Sequence, residues 1–208
     1  MQSIGVCDKI QASIIGQGGS YVKIYTIIGG VNGVGKSSLT GALKGSRSDL
    51  GRIVDVDKIT AQLGGDAMTG GKEALRRIEE CLEKEISFTQ ETTLSGYRTV
   101  RTARAAREKG YIVRLYYVGL NSSDESLERI ANRVRHGGHD IAPEDVRRRF
   151  DSRWEAVAKV LPYCDTAEFY DNSNGFAQVA AYRNGEFLLM GELKPAWILE
   201  LQHFLSKG

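Results

Sequence analysis

The sequence predicts an α/β fold, a mostly parallel sheet with helices on both faces stacked as a three-layer sandwich. Three observations carry this expectation. Short apolar, β-branched runs alternate with stretches of helical periodicity. The first such run leads straight into a glycine-rich turn and a helix, over residues 23–37. Residues 111–119 are nearly all apolar or aromatic, as a strand buried on both faces must be.

The elements follow in order. Residues 23–28, bounded by glycines, form a buried first strand, and a helix starts near Lys36. Residues 52–56 form a second strand ending on Asp57. Leu75, Ile78, Leu82 and Ile86 fall at helical spacing and predict an amphipathic helix over 70–86. A third strand spans 87–92, and an Ala- and Arg-rich helix runs from Gly96 to Gly110. After the strand at 111–119, Ser122 and Glu125 form a capping box for a helix burying Leu127, Ile130, Ala131 and Val134. Gly137-Gly138 ends it. Pro143 opens another helix, with Glu144 and Asp145 well placed in its first turn and an inner stripe of Val146, Phe150, Trp154, Val157 and Leu161. A strand at 168–171, a hairpin turning on Asn184-Gly185, and a helix opened by Pro195 that buries Trp197, Ile198, Leu201, Phe204 and Leu205 complete the chain. We expect one domain over 22–208, with a lid at about 122–160 and the hairpin and last helix at about 176–206. Residues 1–21 are read as an unassigned arm ending in a flexible Gly16-Gln17-Gly18-Gly19-Ser20 joint.

Composition narrows the class. Twenty-eight basic and 26 acidic residues leave a net charge of +2, which favours neither nucleic acid nor a membrane surface as partner. Cys7, Cys81 and Cys164 are far apart and odd in number, as reduced thiols are. No run spans a bilayer, and the first 20 residues lack the pattern of a signal peptide, so the expected location is the cytoplasm.

Gly30-Val31-Asn32-Gly33-Val34-Gly35-Lys36-Ser37 then supplies the chemistry. Phosphate oxygens need several converging backbone N–H donors, and a glycine-rich turn before a helix N-terminus provides them. The motif after a buried strand is a P-loop, so the predicted fold is that of a P-loop NTPase with a helical, Arg-rich lid. Gly30, Asn32, Gly33, Val34, Gly35, Lys36, Ser37 and Ser38 are the expected ATP contacts, with Lys36 on the β- and γ-phosphates and the Ser37 hydroxyl on Mg²⁺. A dinucleotide fingerprint fails, because Ser38 stands where its third glycine belongs.

The surroundings separate the P-loop classes. Asn121-Ser122-Ser123-Asp124 lacks the lysine of a guanine-reading motif. Thr93-Leu94-Ser95-Gly96 echoes a transporter-ATPase signature but follows the P-loop too closely. A small-molecule kinase remains. It needs a carboxylate near the acceptor hydroxyl and cations around the transferred phosphoryl group. Asp57, after the second strand, is the candidate base; as a helix N-cap it would have a structural role instead or as well. Asp55 alternates with it and is expected to point away. Glu91, Thr92 and Thr93 either line the substrate cleft or form a solvent-facing strand end. Of the lid arginines 129, 133, 135, 147, 148, 149 and 153, we expect Arg133, Arg135 and Arg148 to reach phosphate. His136 and His139 lack a third ligand and read as residues of the lid turn.

These motifs together resemble the zeta-toxin family of P-loop kinases, in its compact branch often labelled predicted ABC-type ATPases. The resemblance rests on the P-loop, Asp57, Glu91-Thr92-Thr93-Leu94-Ser95-Gly96, the lid motifs around Arg133-Val134-Arg135 and Arg147-Arg148-Arg149-Phe150, and Tyr170-Asp171-Asn172-Ser173. It covers about residues 22–175. It implies ATP-dependent phosphorylation of a nucleotide-sugar hydroxyl such as that of UDP-N-acetylglucosamine, and a small antitoxin protein as partner. It further implies Lys36 and Ser37 on ATP and Mg²⁺, Asp57 as base, Glu91 and Thr92 near the substrate, and lid arginines on the phosphates. The alternatives are a kinase for another metabolite or an antibiotic, and a non-catalytic ATP-binding regulatory protein.

Overall fold

β1 (Ile24–Gly29) is buried at every position, because it pairs on both edges and is covered on both faces. The computed structural model describes residues 22–138 and 140–207; the N-terminal arm with Cys7, and His139, lie outside the described residues. β3 (Phe88–Thr92) and β4 (Ile112–Gly119) flank β1 in parallel. β2 (Arg52–Asp55) adds beyond β3, and β5 (Thr166–Asp171) beyond β4, again in parallel. The antiparallel strands β6 (Ala177–Arg183) and β7 (Glu186–Leu189) complete a seven-stranded sheet of order β2-β3-β1-β4-β5-β6-β7. The chain leaves β1 toward one edge and β3 toward the other, so a crevice opens at their carboxyl ends. Asn184 (φ 53) and Gly185 (φ 84) make the expected tight hairpin turn.

Two cores result from the strand alternation. Tyr25, Ile27, Val113 and Leu115 face α3 (Ala67–Glu83), α4 (Arg98–Glu108), α7 (Arg153–Val160) and α8 (Ala196–Ser206) through Ala74, Ile78, Ala103, Val157 and Trp197; α1 (Lys36–Ser46), α2 (Val56–Gln62), α5 (Ser123–Arg135) and α6 (Pro143–Asp151) are the other helices. On the opposite face Ile28, Tyr116 and Val118 pack under Leu39 of α1 and Phe150 of α6. Cys81 and Cys164 are buried free thiols, and burial pushes Cys164 up to about 12. No described helix is long and apolar enough to cross a membrane.

Several boundaries differ from expectation for local reasons. α3 starts earlier, at Ala67, because the Asp66 carboxylate accepts from Thr69 N, and it ends before Ile86, which is exposed. The helix expected from Pro143 breaks in two at Ser152, whose hydroxyl donates to Arg148 O, although its inner stripe is buried as expected. In α5 Ile130 is buried but Ala131 is exposed, and in α8 Phe204 is exposed. α2 starts at Val56, ahead of the alternative cap at Asp57, because the Asp55 carboxylate caps Lys58 N at 3.2 Å.

Beneath α1 lies an ionic core. Arg114 of β4 is buried, donating to Thr26 Oγ1 at 2.8 Å and through both terminal nitrogens to Asp49 at 2.7 and 2.9 Å; Arg47 holds the same carboxylate. Burial works against the Asp49 charge, but the two guanidiniums win and hold its carboxyl well below the ordinary carboxylate range. The folded state therefore favours the ionised form, so the pair stabilises fully above the ordinary carboxylate range and loses that contribution as pH falls through it. We expect Asp49→Ala to cost about 3 kcal/mol by leaving a buried guanidinium without its carboxylate. Denaturant melts at neutral pH and near pH 3 check this, with the mutational gap shrinking in acid.

Candidate active site

The turn after β1 wraps an open concavity. Gly33 has φ 79, and a Cβ there would stand 2.6 Å from Ser126 O on α5. Gly35 has φ 101, and a Cβ there would meet the Asn172 amide at 2.5 Å. No L side chain is accommodated at either point. That amide donates to Val34 O at 2.8 Å, so the segment after β5 braces the turn while the Val34 side chain is buried in the core below. α1 opens directly behind the turn, aiming its N-terminal N–H groups into the concavity.

Lys36 Nζ donates to Gly30 O at 2.8 Å and to Val31 O at 2.9 Å. Burial pushes its ammonium down to about 8; Asp57, Glu91 and Asp55 pull it up, and Arg133 pushes it further down. Three carboxylates thus act on the lysine: Asp55 at the end of β2, Asp57 in the first turn of α2 and Glu91 near the end of β3.

Glu91 is buried, and its Oε2 accepts from Ser37 Oγ at 2.7 Å. It faces the cleft, contrary to the solvent-facing alternative. Its other oxygen, Oε1, is buried with no hydrogen-bond partner among the described residues. A hydroxyl beside an unsatisfied carboxylate oxygen is a hard-oxygen donor set that fits Mg²⁺ carrying several waters and phosphate oxygens. Asp57 lies in the first turn of α2, exposed on the cleft wall. Asp55 does not point away: the strand ends there, so the two aspartates sit on either side of a strand–helix junction and both line the cleft. Asp55, not Asp57, is the helix cap. Thr92 accepts from Leu94 N and touches the Thr99 hydroxyl, bracing a turn in which Leu94 takes φ 61. Thr93 bonds Ser95 and lines the cleft, as does Ser38.

The lid arginines sort by helix phase. Arg133 lines the cleft. Arg135 and Arg148 do not: Arg135 turns to Asn132 Oδ1 at 2.7 Å, and Arg148 pairs with Asp145 at 2.6 Å with its side chain 70% exposed. Arg129 and Arg149 line the cleft instead. Arg149 donates to Asn32 Oδ1 at 2.7 Å, linking lid to P-loop, and Arg129 donates to Asn172 O at 2.7 Å. The signal was present, since Arg129 and Arg133 are one turn apart and Arg149 lies three residues from the buried Val146. His136 caps its helix, with Nδ1 2.8 Å from Asn132 O. The cleft measures about 530 Å³, and its lining also includes Ala74, Leu75 and Ile78 of α3 and Gln90 of β3, none of them expected from sequence as a site residue.

No family model matches the chain. An uncharacterized protein of Haemophilus influenzae is 32% identical over 126 residues, covering 58% of this chain and 88% of that protein. The chain belongs to that protein's family. Among solved structures, one of the PezAT chromosomal toxin–antitoxin system of Streptococcus pneumoniae superposes with TM-score 0.62 and 16% identity, covering 96% of this chain and 91% of that one. The AvrRxo1-ORF1:-ORF2 complex with ATP matches with TM-score 0.63 and 17% identity over 86% of this chain. The chain spans 63% of that protein's length. The chain thus shares its fold with these structures, a mostly parallel α/β sandwich of P-loop type as the sequence predicted.

Proposed function

We propose that this family member is a Mg²⁺- and ATP-dependent kinase that phosphorylates a hydroxyl of a small molecule. One observation carries the reading: the P-loop lysine, the Ser37–Glu91 pair, Asp57 and the lid residues Arg133 and Arg149 all border one cleft. The P-loop amides and Lys36 hold the triphosphate. Ser37 and Glu91 would hold Mg²⁺, which would supply positive charge to offset that of the phosphates. Asp57 accepts the proton of the acceptor hydroxyl as its oxygen bonds to the γ-phosphorus. The bond from that phosphorus to the bridging oxygen breaks, and ADP departs with the electron pair. Lys36, Arg133 and Arg149 hold the charge that develops on the transferred group.

The zeta-toxin resemblance favours a nucleotide sugar as acceptor, UDP-N-acetylglucosamine first. It also favours a small antitoxin protein as partner and the cytoplasm as location, where ATP and Mg²⁺ are supplied. Transfer from γ-labelled ATP to a panel of nucleotide sugars, antibiotics and metabolites tests the acceptor. Label on UDP-N-acetylglucosamine supports the full reading; label on another compound keeps the kinase and rejects that acceptor. Tight ATP binding with no acceptor labelled overturns the kinase in favour of a regulatory module.

Lys36 adds a pH dependence. Phosphates bound beside it favour the ammonium, so the bound state holds its proton more tightly than the free state, where it titrates at about 8. The affinity this contributes is complete below that pH and declines above it. Calorimetric titration of Mg²⁺-ATP between pH 7 and about 9.5 is expected to give constant affinity up to about 8, then a fall of up to about tenfold per pH unit. In Lys36→Met the affinity is weaker and the profile flat. A flat wild-type profile contradicts this role.

A further inference from the structure

We propose that Gln90 is a specificity-determining residue: held in one orientation by the buried Tyr25 hydroxyl, its amide N–H reads a hydrogen-bond-accepting oxygen on the acceptor substrate. This rests on the kinase reading. Gln90 pairs in register with Ile27 and shares a sheet face with Phe88 and Tyr25, yet it also lines the cleft. It stands where the main core meets the site.

Tyr25 is fully buried and stacked on Phe88 at 4.4 Å, and its hydroxyl donates to Gln90 Oε1. Burial pushes the phenol well above 10, so it keeps its proton and requires an acceptor. A glutamine amide has an accepting oxygen at one end and two N–H donors at the other. With the oxygen engaged inward, the nitrogen is left toward the cleft, and it has no hydrogen-bond partner among the described residues. Arg98, on the same stretch of wall beside Gly71, also has no hydrogen-bond or ion-pair partner among the described residues. Ala74 and Ile78 add apolar surface to the same cleft. Gln90 and Arg98 offer donors only, so a bound molecule completes this part of the site by presenting oxygens that accept. If Gln90 served only to satisfy Tyr25, a Phe and Leu pair of similar shape would fill the core without an amide facing a site that must exclude water. The N–H left toward the cleft gives the residue its second task.

The test measures phosphate transfer from γ-labelled ATP to nucleotide sugars, sugar phosphates and free sugars by wild type, Gln90→Leu, Tyr25→Phe and the double variant. The double variant removes hydroxyl and amide together and orphans neither, so it retains the fold even where Gln90→Leu alone does not. For the acceptors that wild type labels, both Gln90→Leu proteins are expected to raise acceptor KM about tenfold, the worth of one hydrogen bond, with ATP affinity unchanged. Tyr25→Phe gives a smaller rise, because the released amide can turn its oxygen outward. An unchanged acceptor KM in the double variant overturns the proposal, and so does an equal loss of ATP affinity, which marks a purely structural role. A wild type that binds ATP and labels nothing defeats the kinase reading itself and Gln90's role with it, an outcome distinct from a working kinase whose KM does not move.

Discussion

Asp57→Asn is expected to lower kcat for phosphate transfer about a thousandfold while leaving Mg²⁺-ATP affinity within about twofold, the usual loss for removal of a general base. The asymmetry follows from position. Asp57 is exposed on the cleft wall in the first turn of α2, whereas the cap of that helix is Asp55, so amidation removes a base without removing a cap. Asp55→Asn behaves differently. Asp55 is buried and holds both Lys58 N and the Lys58 ammonium, so that substitution shows mainly in a lower melting temperature. Steady-state kinetics, ATP titration and thermal melts on the two variants separate the roles. Equal kinetic losses in both would contradict the assignment of the base.

The second large effect concerns the lid. Arg149→Ala is expected to reduce kcat about a hundred- to a thousandfold, the range seen on losing one preorganised donor to a developing charge, and Arg133→Ala to do the same. Arg135→Ala and Arg148→Ala are expected to stay within about twofold, because both side chains lie outside the cleft and pair within their own helices, as exposed pairs of little consequence. Arg149 also ties α6 to Asn32 of the P-loop, so Asn32→Ala, which loosens that loop, is expected to raise KM for ATP. kcat and KM for the five variants check the pattern. Loss confined to Arg135 and Arg148 would mean that the working lid turns its other face inward.

The contrast between these arginines marks how far the sequence could be read. β1, the P-loop and the nearly all-apolar β4 were legible because each is a local pattern: a buried run, a glycine spacing, a lysine before a serine. Asp57 was legible as a cleft residue because strand ends in a parallel sheet face the ligand crevice, whereas sequence left Glu91 open between cleft and solvent. Which arginines enter the cleft depends on the rotation of α5 and α6 about their axes. Their buried residues Ile130, Val146 and Phe150 encode that rotation, and Arg135 and Arg148 fell on the wrong side of it. Asp55 was misplaced because strand alternation was carried one residue too far, through a junction its own capping bond creates. The Tyr25–Gln90 contact spans 65 residues of sequence and exists only because β3 inserts beside β1, a strand order that no local pattern states. Asn172 entered only as part of a late motif; its amide on Val34 O, which shapes the P-loop from outside, is equally non-local.

The most direct test of the central claim is phosphorus NMR of the wild-type protein incubated with Mg²⁺, ATP and the acceptor panel. The kinase account predicts a new phosphomonoester resonance growing in step with ADP, and its absence with Asp57→Asn. ADP accompanied only by inorganic phosphate, or no ADP at all, would contradict it.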